Sequence, residues 1–435
     1  MSDIHVVVGS GMAGIVASYF EAMKGNRVIL IESDDRPGGL LKSDFSNNCY
    51  FDYGTHVYSE TGSKDLDDFL FSGANDDNFI ITNILNPGNY FNGEMNSESC
   101  YVNTLSIGEE LYIKGCQEIL ECKDNLAKEN LEDFLLQKFG VTFYENIYKP
   151  VIKKYIGIDP KLLDPQAGRF FDMSRLLAFD QKMTEKLCQS EIYNSKFGHH
   201  IREVGIKKYY PRSGGIGGMI ELLIYKLKEA GVEIKLSTKI NKIEQNNGQV
   251  TAVITDEETI AVSKLIWTLP CSYLSYLSKL DKKTDPPKFR NTGLYDFTFE
   301  KPLNSESTYI NVYDLDMYSG RITLYQNLSK TEHYSCTVEV LTDDIVELDT
   351  LIDCIQLELL KMGLVDENNK CIFKQFRPLK NGFPIMTSEF VKKQNELNDY
   401  CESYFKNVLF AGRSSGKVFF MNDVLLDTHK KISNI

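Results

Sequence analysis

The chain has 435 residues, of which 42% are hydrophobic and 25% are charged, a composition typical of a globular protein with about two or three domains. Its formal net charge of −13 argues against a surface for nucleic acid or for an anionic membrane. The ten cysteines include no C-x-x-C pair, and the six histidines lack the spacing of metal ligands. No apolar run approaches the roughly 20 residues that span a bilayer. We therefore expect a cytoplasmic protein with reduced thiols, no metal site and no membrane span.

Residues 4–32 read as a strand, a glycine-rich turn, a helix and a second strand that ends in an acid. In such a unit Gly9 makes the tight turn, Gly11 lets the backbone approach a pyrophosphate, and Gly14 lets the helix pack closely on the strand. The free N–H groups at the start of the helix then hold the phosphate. Glu32 lies 18 residues after Gly14, where an acid binds the ribose hydroxyls. The stretch predicts a dinucleotide-binding unit, and its position leads us to expect no signal peptide.

Two further motifs follow this unit. Residues 36–39 read Arg-Pro-Gly-Gly, and residues 52–56 read Asp-Tyr-Gly-Thr-His, a short strand that ends in a glycine turn. A second glycine pair suits a long cofactor that runs past the loop, because the backbone must approach it. This favours a flavin over a nicotinamide cofactor.

These motifs resemble the FAD-dependent superfamily that contains amine oxidases, protoporphyrinogen oxidases, carotenoid desaturases and UDP-galactopyranose mutases. The resemblance implies an α/β fold: a Rossmann-like FAD-binding domain with an inserted helical domain and an antiparallel β substrate domain. In that superfamily the Arg and Gly-Gly of the first motif lie along the pyrophosphate and ribityl chain of FAD. The Gly-x-His of the second motif lies near the isoalloxazine ring. The resemblance thus makes His56 the catalytic candidate, adjacent to a flavin that carries the chemistry.

The resemblance also implies how the domains are assembled from separate stretches of chain. The FAD-binding domain is expected to comprise residues 1–64, 205–275 and 400–435. The helical domain is expected at residues 105–204. The substrate domain is expected to combine residues 65–104 and 276–399.

The middle of the chain contains a helical pattern followed by two arginines. Residues 131–150 carry aromatic and aliphatic side chains at spacings of three and four, which predicts a helix. Its apolar face would pack on the core, or it would help to shape a substrate cleft beside the flavin. Residues 153–165, with Arg169 and Arg175, are similar to the mutase branch, in which such arginines reach the nucleotide sugar.

The second half of the chain is rich in short extended runs. Residues 209–219 are glycine-rich and open a helix, and these glycines suit either close helix packing or the approach of a ligand. Runs between residues 231 and 270 predict a small meander, and by resemblance the backbone near Ile240 meets the adenine end of FAD. Residues 285–385 predict an antiparallel sheet that ends in a proline turn at residues 383–385.

The carboxyl-terminal stretch repeats the order strand, glycine, helix start, which would give the cofactor a second helix end. Gly412-Arg413 is similar to the mutase branch, since amine oxidases usually carry Gly-Asp at this position. The planar guanidinium of Arg413 would pair with a phosphate oxygen.

The predicted flavin contacts come from all parts of the expected FAD-binding domain. They are Gly9, Gly11, Met12, Ala13, Gly14, Glu32, Ser33, Arg36, Gly38, Gly39, Leu40, Tyr53, Gly54, Thr55, His56, Ile240, Gly412, Arg413, Met421, Asn422 and Val424. The predicted substrate contacts are Arg169, Arg175 and Lys417.

Several positions depart from the mutase pattern. The tryptophan of that branch is Ile156 here, its substrate arginine is Asp296, and its second histidine is Ser59. Its carboxyl-terminal tyrosines are Lys417 and Phe419. A carboxylate beside a diphosphate is repulsive, and a charge-assisted pair worth roughly 1.5–3 kcal/mol is lost. UDP-galactopyranose itself is therefore a poor candidate substrate.

Two enzymatic functions remain open, and both use FAD with a small-molecule substrate. The first, which we favour, is a mutase-like flavoenzyme acting on a nucleotide-linked or otherwise activated sugar in glycan biosynthesis. The second is an oxidoreductase, such as an amine or alcohol oxidase, a dehydrogenase or a desaturase, in which flavin N5 accepts a hydride. NAD(P)H or another reductant is a candidate partner, and nucleic acid is not. A non-catalytic flavin-binding protein is a third reading, which the intact FAD motifs disfavour.

Overall fold

The computed structural model describes residues 3–122, 128–200, 205–329, 334–342 and 349–434. Its strands are β1 (Ile4–Val8), β2 (Arg27–Ile31), β3 (Ser43–Ser46), β4 (Cys49–Asp52), β5 (Tyr58–Ser59), β6 (Phe79–Thr82), β7 (Pro87–Phe91), β8 (Glu94–Asn96), β9 (Lys208–Pro211), β10 (Glu233–Lys235), β11 (Ile240–Asn246), β12 (Gln249–Thr255), β13 (Thr259–Ala261), β14 (Lys264–Trp267), β15 (Phe289–Phe299), β16 (Tyr309–Val312), β17 (Ser319–Leu324), β18 (Tyr334–Thr342), β19 (Cys371–Pro384) and β20 (Val408–Phe410). Its α-helices are α1 (Met12–Met23), α2 (Lys64–Phe71), α3 (Glu109–Glu121), α4 (Leu131–Phe143), α5 (Lys149–Ile156), α6 (Gln181–Leu187), α7 (Glu191–Asn194), α8 (Gly217–Glu229), α9 (Cys271–Leu277), α10 (Tyr325–Leu328), α11 (Ile352–Lys361), α12 (Ser388–Tyr404) and α13 (Met421–Ser433). Within these stretches, no helix combines the length and the apolar character needed to cross a bilayer.

Five parallel strands in the order β10-β2-β1-β14-β20 form the first sheet. Val7 at its centre pairs with Leu30 on one side and with Ile266 on the other, and all three are fully buried. Such apolar strands need cover on both faces of the sheet. Helices α1, α8 and α13 share a core cluster with one face, and the other face packs on a meander of three strands with α9 and α12. The carboxyl ends of parallel strands meet at one edge, which places the turn after β1 near the turn after β20. The predicted Rossmann-like α/β fold is confirmed, with the meander β11-β12-β13 before β14.

A second, mostly antiparallel sheet has the strand order β19-β15-β18-β17-β16-β7-β8. One face is apolar, and its fully buried Ile322 and Val338 pack in the same core cluster as α11. The other face carries polar side chains that are direct cross-strand neighbours on β16, β17 and β18. We call three of them the polar row: Asn311, Arg321 and Glu339.

The helical pattern at residues 131–150 folds as α4, a π-helical turn (Tyr144–Tyr148) and the start of α5. Gly140, within α4, has a φ of +80° and interrupts the helical backbone. A Cβ at this glycine would stand 2.6 Å from the Cβ of Glu118 on α3. The prediction that this stretch is helical is confirmed. The prediction that its apolar residues share one continuous helix face is wrong, because the chain bends at Gly140, where α3 approaches too closely for a side chain.

The prediction of a proline turn at residues 383–385 is wrong, because the strand continues to Pro384. Phe383 and Pro384 continue β19 and pair with Arg290 and Phe289 of β15. Proline is tolerated there because β19 lies at the edge of its sheet, where a missing N–H removes no ladder hydrogen bond.

Glu21 ties the carboxyl-terminal part of α1 to the starts of β1 and β14. Its side chain is 1% exposed, with one carboxylate oxygen 2.6 Å from His5 Nδ1 and the other 2.9 Å from Lys264 Nζ. Burial alone would raise the pKa of Glu21, but hydrogen bonds from His5 and Lys264 lower that pKa from 4.5 to about 2. The ionised carboxylate is therefore a stabilising part of the fold.

Replacing Glu21 with Gln should make the stability of the protein less sensitive to acid. Because the folded-state pKa is depressed, the contribution of Glu21 is fully present above the unfolded pKa of 4.5 and is lost as the pH falls toward 2. At neutral pH we expect the substitution to lower the free energy of unfolding by about 3 kcal/mol. Urea unfolding at a series of pH values measures both effects. A variant that retains the wild-type slope against pH would contradict this account.

Candidate cofactor and substrate site

The turn between β1 and α1 has the shape of a phosphate-binding cradle. Gly9 has a φ of +95°, and a Cβ on Gly14 would stand 1.8 Å from the carbonyl oxygen of Gly9. A Cβ on Gly11 would instead meet no atom within 4 Å. The amino end of α1 has no side-chain cap and no acid in its first turn. We call this helix end, with the space beside Gly11, the cradle; it suits an anion such as a phosphate.

Two loops that are distant in sequence reach the cradle. A Cβ on Gly39 would lie 3.6 Å from the Cα of Gly11. A Cβ on Gly412, where φ is +82°, would lie 3.2 Å from the Cβ of Ala13. The structure therefore brings three of the predicted glycine motifs, at residues 9–14, 38–39 and 412, to one helix end.

Glu32 follows β2 and lies beside the same turn. Its Oε2 accepts hydrogen bonds from the N–H and the hydroxyl of Ser10 at 2.8 and 2.7 Å, and its Oε1 accepts one from the N–H of Asp34 at 3.0 Å. These contacts fix the acid next to the cradle, where its predicted role toward a ribose requires it. Sequence reasoning missed Ser10, although a hydroxyl inside the glycine motif was an available signal.

Other predicted flavin contacts already have protein partners. Arg36 Nη1 lies 2.9 Å from Asp44 Oδ1. The amide of Asn422 donates to the carbonyl of Glu60 at 3.1 Å. The side chain of Ile240 is buried in a core cluster beside the parallel sheet. The roles of these residues toward FAD stay predictions.

Arg413 follows Gly412 and is placed next to the cradle by the packing of that glycine. Its guanidinium lies 5.7 Å from the ring centre of Phe419. Within the described part of the chain, no carboxylate lies within 4.0 Å of it, and desolvation lowers its pKa. A guanidinium in this situation suits the phosphate role predicted for it.

Asp52 ends β4 and carries the loop of residues 53–56. Its fully buried carboxylate accepts hydrogen bonds from the hydroxyls of Ser43 and Tyr210, both at 2.7 Å, and from a backbone N–H just before α8. Burial raises its pKa to about 6. A Cβ on Gly215 would stand 2.6 Å from Asp52 Oδ1. Close packing therefore accounts for this glycine before α8, without a ligand.

Asp296 does not face a ligand, which corrects the repulsion inferred from its position in the sequence. Its carboxylate is fully buried and accepts from Arg377 Nε at 2.6 Å and from Arg377 Nη2 at 3.0 Å. Thr337 and Gln375 donate to it at 2.6 and 2.8 Å. The charge of Asp296 is thus paired within the protein and does not oppose a substrate phosphate.

Arg377 also supports the loop of residues 53–56. Its Nη2 donates to the carbonyl of Asp52 at 3.0 Å, and its Nη1 lies 3.2 Å from Asp44 Oδ2. Its guanidinium stacks on Tyr53, 4.8 Å from the ring centre. The sequence analysis missed this residue, and an isolated arginine on a strand offers no signal for such a role.

His56 is neutral at pH 7. Burial, with the positive charges of Arg321 and Arg413, lowers its pKa to about 4. Gly54 has a φ of +103°, and a Cβ there would stand 3.6 Å from His56 Nε2 and 3.6 Å from each carboxylate oxygen of Glu339. The glycine therefore leaves a space between a neutral imidazole and a carboxylate.

The polar row faces this loop on one side and the helical part of the chain on the other. The N–H of Thr55 donates to Glu339 Oε1 at 3.2 Å. Asn311 accepts from Arg321 Nε at 3.1 Å and donates to Asp172 Oδ2 at 2.9 Å. Although burial opposes it, the charges of Glu339 and Asp172 raise the pKa of Arg321. The sequence analysis did not predict the polar row. The alternation of polar and apolar residues along β17 and β18 was an available signal for a polar sheet face at these positions.

The structure does not bring the three predicted substrate contacts together. Lys417 Nζ pairs with both carboxylate oxygens of Glu402, at 2.7 and 2.8 Å, in a partly exposed ion pair. Arg169 is exposed on a 3-10 helix. Burial raises the pKa of Tyr101, and the nearby positive charge of Arg175 opposes that rise. Of the three, Arg175 is thus linked to the surroundings of the polar row.

Comparison with known proteins agrees with this architecture. Residues 7–70 match the family of NAD(P)-binding Rossmann-like domains. The chain is 24% identical over 276 residues to the 1-hydroxycarotenoid 3,4-desaturase of Flavobacterium sp. (strain P99-3), a match that covers 58% of the chain and 54% of that relative. The chain thus spans about half the length of this relative.

Two solved structures have the same fold. Reduced UDP-galactopyranose mutase matches with a TM-score of 0.78 and 16% identity, over 100% of this chain and 94% of that one. A redesigned putrescine oxidase matches with a TM-score of 0.66 and 12% identity, over 100% and 98%. At these identities the likeness concerns the fold. The Rossmann match and the desaturase relative agree with this fold.

Proposed function

We propose that the chain binds FAD and works as an oxidoreductase on a polar small molecule. The cradle carries this proposal, because three glycine motifs meet at an uncapped helix end and Gly11 faces open space. Glu32 is fixed beside the cradle, as a contact to the cofactor's ribose requires. The residues present therefore fit a dinucleotide cofactor, and the second glycine pair at residues 38–39 favours FAD.

FAD would be held by the N–H groups near Gly11 and Ala13, by Glu32 at the ribose and by Arg413 at a phosphate. Bound FAD would supply the two-electron chemistry of its flavin ring. The chain's own residues would position the substrate. Thr55 is fixed by its hydrogen bonds, and the neutral ring of His56 offers a hydrogen bond without adding a charge.

Two residues at positions that would bind the substrate diphosphate in a mutase are occupied by other protein contacts, which favours substrate oxidation over the mutase reaction. Asp296, at the position of the expected substrate arginine, is buried in an ion pair. Lys417, the other candidate for a diphosphate, is paired with Glu402. The desaturase relative also supports substrate oxidation, although the polar row disfavours a hydrocarbon as the substrate.

A mutase-like reaction on an activated sugar is the second candidate. Arg321 belongs to the polar row, and the positive charges of Arg175 and Arg321 both act on groups around Asp172. Two guanidinium groups in this region suit a phosphorylated ligand.

Anaerobic spectroscopy of the purified protein separates the two candidates. Oxidised protein is mixed with alcohols, amines and hydroxy acids, and dithionite-reduced protein is mixed with nucleotide sugars. Loss of flavin absorbance with one of the first set, restored by an electron acceptor, is the expected result. Sugar isomerisation without net redox, together with a borohydride-trapped flavin adduct, would overturn the proposal in favour of the mutase. Protein that neither contains nor takes up FAD would reject both.

A further inference from the structure

We infer that Glu339 determines substrate specificity: its carboxylate accepts a hydrogen bond from the substrate, which therefore carries an N–H or O–H group beside the reacting centre. The inference rests on the proposed function, since it concerns the space beside His56. The motifs and the resemblance had not indicated Glu339, nor the hydrogen bond by which it would recognise the substrate.

Glu339 is hydrogen-bonded through one carboxylate oxygen to the loop that contains His56. Its Oε1 accepts from the N–H of Thr55 at 3.2 Å and from the Thr55 hydroxyl at 3.4 Å. The same hydroxyl lies 2.5 Å from the hydroxyl of Thr323 on β17. A carboxylate fixed in this way presents its second oxygen in a defined direction, as a specific recognition group must.

The second oxygen, Oε2, forms no hydrogen bond with any residue that the structure describes. The side chain is half-buried. Both carboxylate oxygens lie 3.6 Å from the point that a Cβ on Gly54 would occupy, and His56 Nε2 lies at the same distance from that point. The carboxylate and the imidazole are therefore separated by at most twice this distance. The space between them suits a small polar group.

The neighbouring cation does not satisfy Oε2. Arg321 is the cross-strand neighbour of Glu339, but none of the described residues places a cationic nitrogen within 4.0 Å of the carboxylate. The Nε of Arg321 donates instead to Asn311 at 3.1 Å. Oε2 is not among the fully buried polar atoms of the described residues that lack a partner, so it is open to a ligand, and an N–H or O–H group of that ligand would form a charge-assisted hydrogen bond with it. A hydrocarbon or an ether offers no such group.

Binding of four small probes to the FAD-loaded protein tests this inference. Benzyl alcohol is compared with benzyl methyl ether, and benzylamine with benzyltrimethylammonium, by titration of the flavin absorbance. In each pair only the first member carries an N–H or O–H donor. We expect it to bind the wild-type protein roughly ten- to hundred-fold more tightly than its partner. A larger affinity ratio for the amine pair than for the alcohol pair would show that the positive charge of the ligand strengthens binding to Glu339.

Two variants and a control locate the effect at this carboxylate. Glu339→Leu should abolish the preference for donor-bearing probes, and Glu339→Gln, which keeps a neutral acceptor, should retain part of it. Glu94→Leu, on the exposed edge strand β8 of the same sheet, should keep the wild-type preference. FAD content and melting temperature establish that each variant is folded and loaded.

Three results would overturn the inference: no preference in the wild-type protein, no binding of the donor probes, or an undiminished preference in both Glu339 variants. A flavin-containing protein with any of these results would reject the role of Glu339 and leave the proposed cofactor intact. A protein that cannot be loaded with FAD would reject both.

Discussion

Replacing Asp296 with Ala should lower the free energy of unfolding by about 3–5 kcal/mol. The substitution leaves the guanidinium of Arg377 almost buried, with 10% of its side chain exposed, and removes the carboxylate that binds it at two points. It also removes the acceptor for Thr337 and Gln375. Urea unfolding at pH 7, followed by circular dichroism, measures the change. Because Arg377 supports the loop before His56, flavin affinity should fall as well.

Asp353→Ala is the matched control, since Asp353 pairs with Lys374 on the same strand, β19. That pair is exposed, with 76% of the Asp353 side chain accessible, and we expect a far smaller effect. Equal stability of the two variants would mean that the charge of Arg377 is satisfied without Asp296.

Replacing Gly14 with Ala should prevent formation of a stable flavoprotein. The new Cβ would stand 1.8 Å from the carbonyl oxygen of Gly9, so α1 has to move away from β1. We expect a loss of about 3 kcal/mol or more in stability and no retained flavin. Thermal unfolding and the flavin absorbance of the purified protein test both outcomes.

The variant Gly11→Ala distinguishes an effect on FAD binding from an effect on protein packing. Its Cβ meets no protein atom within 4 Å, and the backbone at Gly11, with φ −67° and ψ 175°, is open to any residue. The apoprotein should therefore melt like the wild type, while FAD binds roughly ten- to hundred-fold more weakly. Unchanged FAD affinity in Gly11→Ala would show that no cofactor phosphate lies beside this residue.

The parallel sheet and the glycine turns could be predicted because their signals are local. The spacing of Gly9, Gly11 and Gly14 expresses the packing of one helix on one strand, and both elements are contiguous in sequence. The alternation of polar and apolar residues likewise predicts a strand from positions that are adjacent in sequence. The bend at Gly140 was not predictable in this way, because it depends on the approach of α3.

The substrate side could not be predicted because its contacts join distant positions. Asp296 looked like a charge that faces a ligand, but its partner Arg377 lies 81 positions further along the chain. Glu339 is placed beside His56 by its hydrogen bond with Thr55, which lies 284 positions earlier in the chain. Neither pair has a spacing that recurs along one helix or strand, so the assembled sheet was needed to reveal them.

Two regions on the polar face of the seven-stranded sheet give this protein an uneven tolerance of substitution. Near β15 and β19 the charges of Asp296 and Arg377 are locked together, and substitutions there threaten folding. Across β16 to β18, Asn311, Arg321 and Glu339 belong to strands whose opposite faces form the apolar core. Exchange of these three side chains can alter which molecules bind while interior packing is conserved. In natural or laboratory evolution, new substrate ranges should therefore arise first at these strands, within a framework that the cofactor keeps constant.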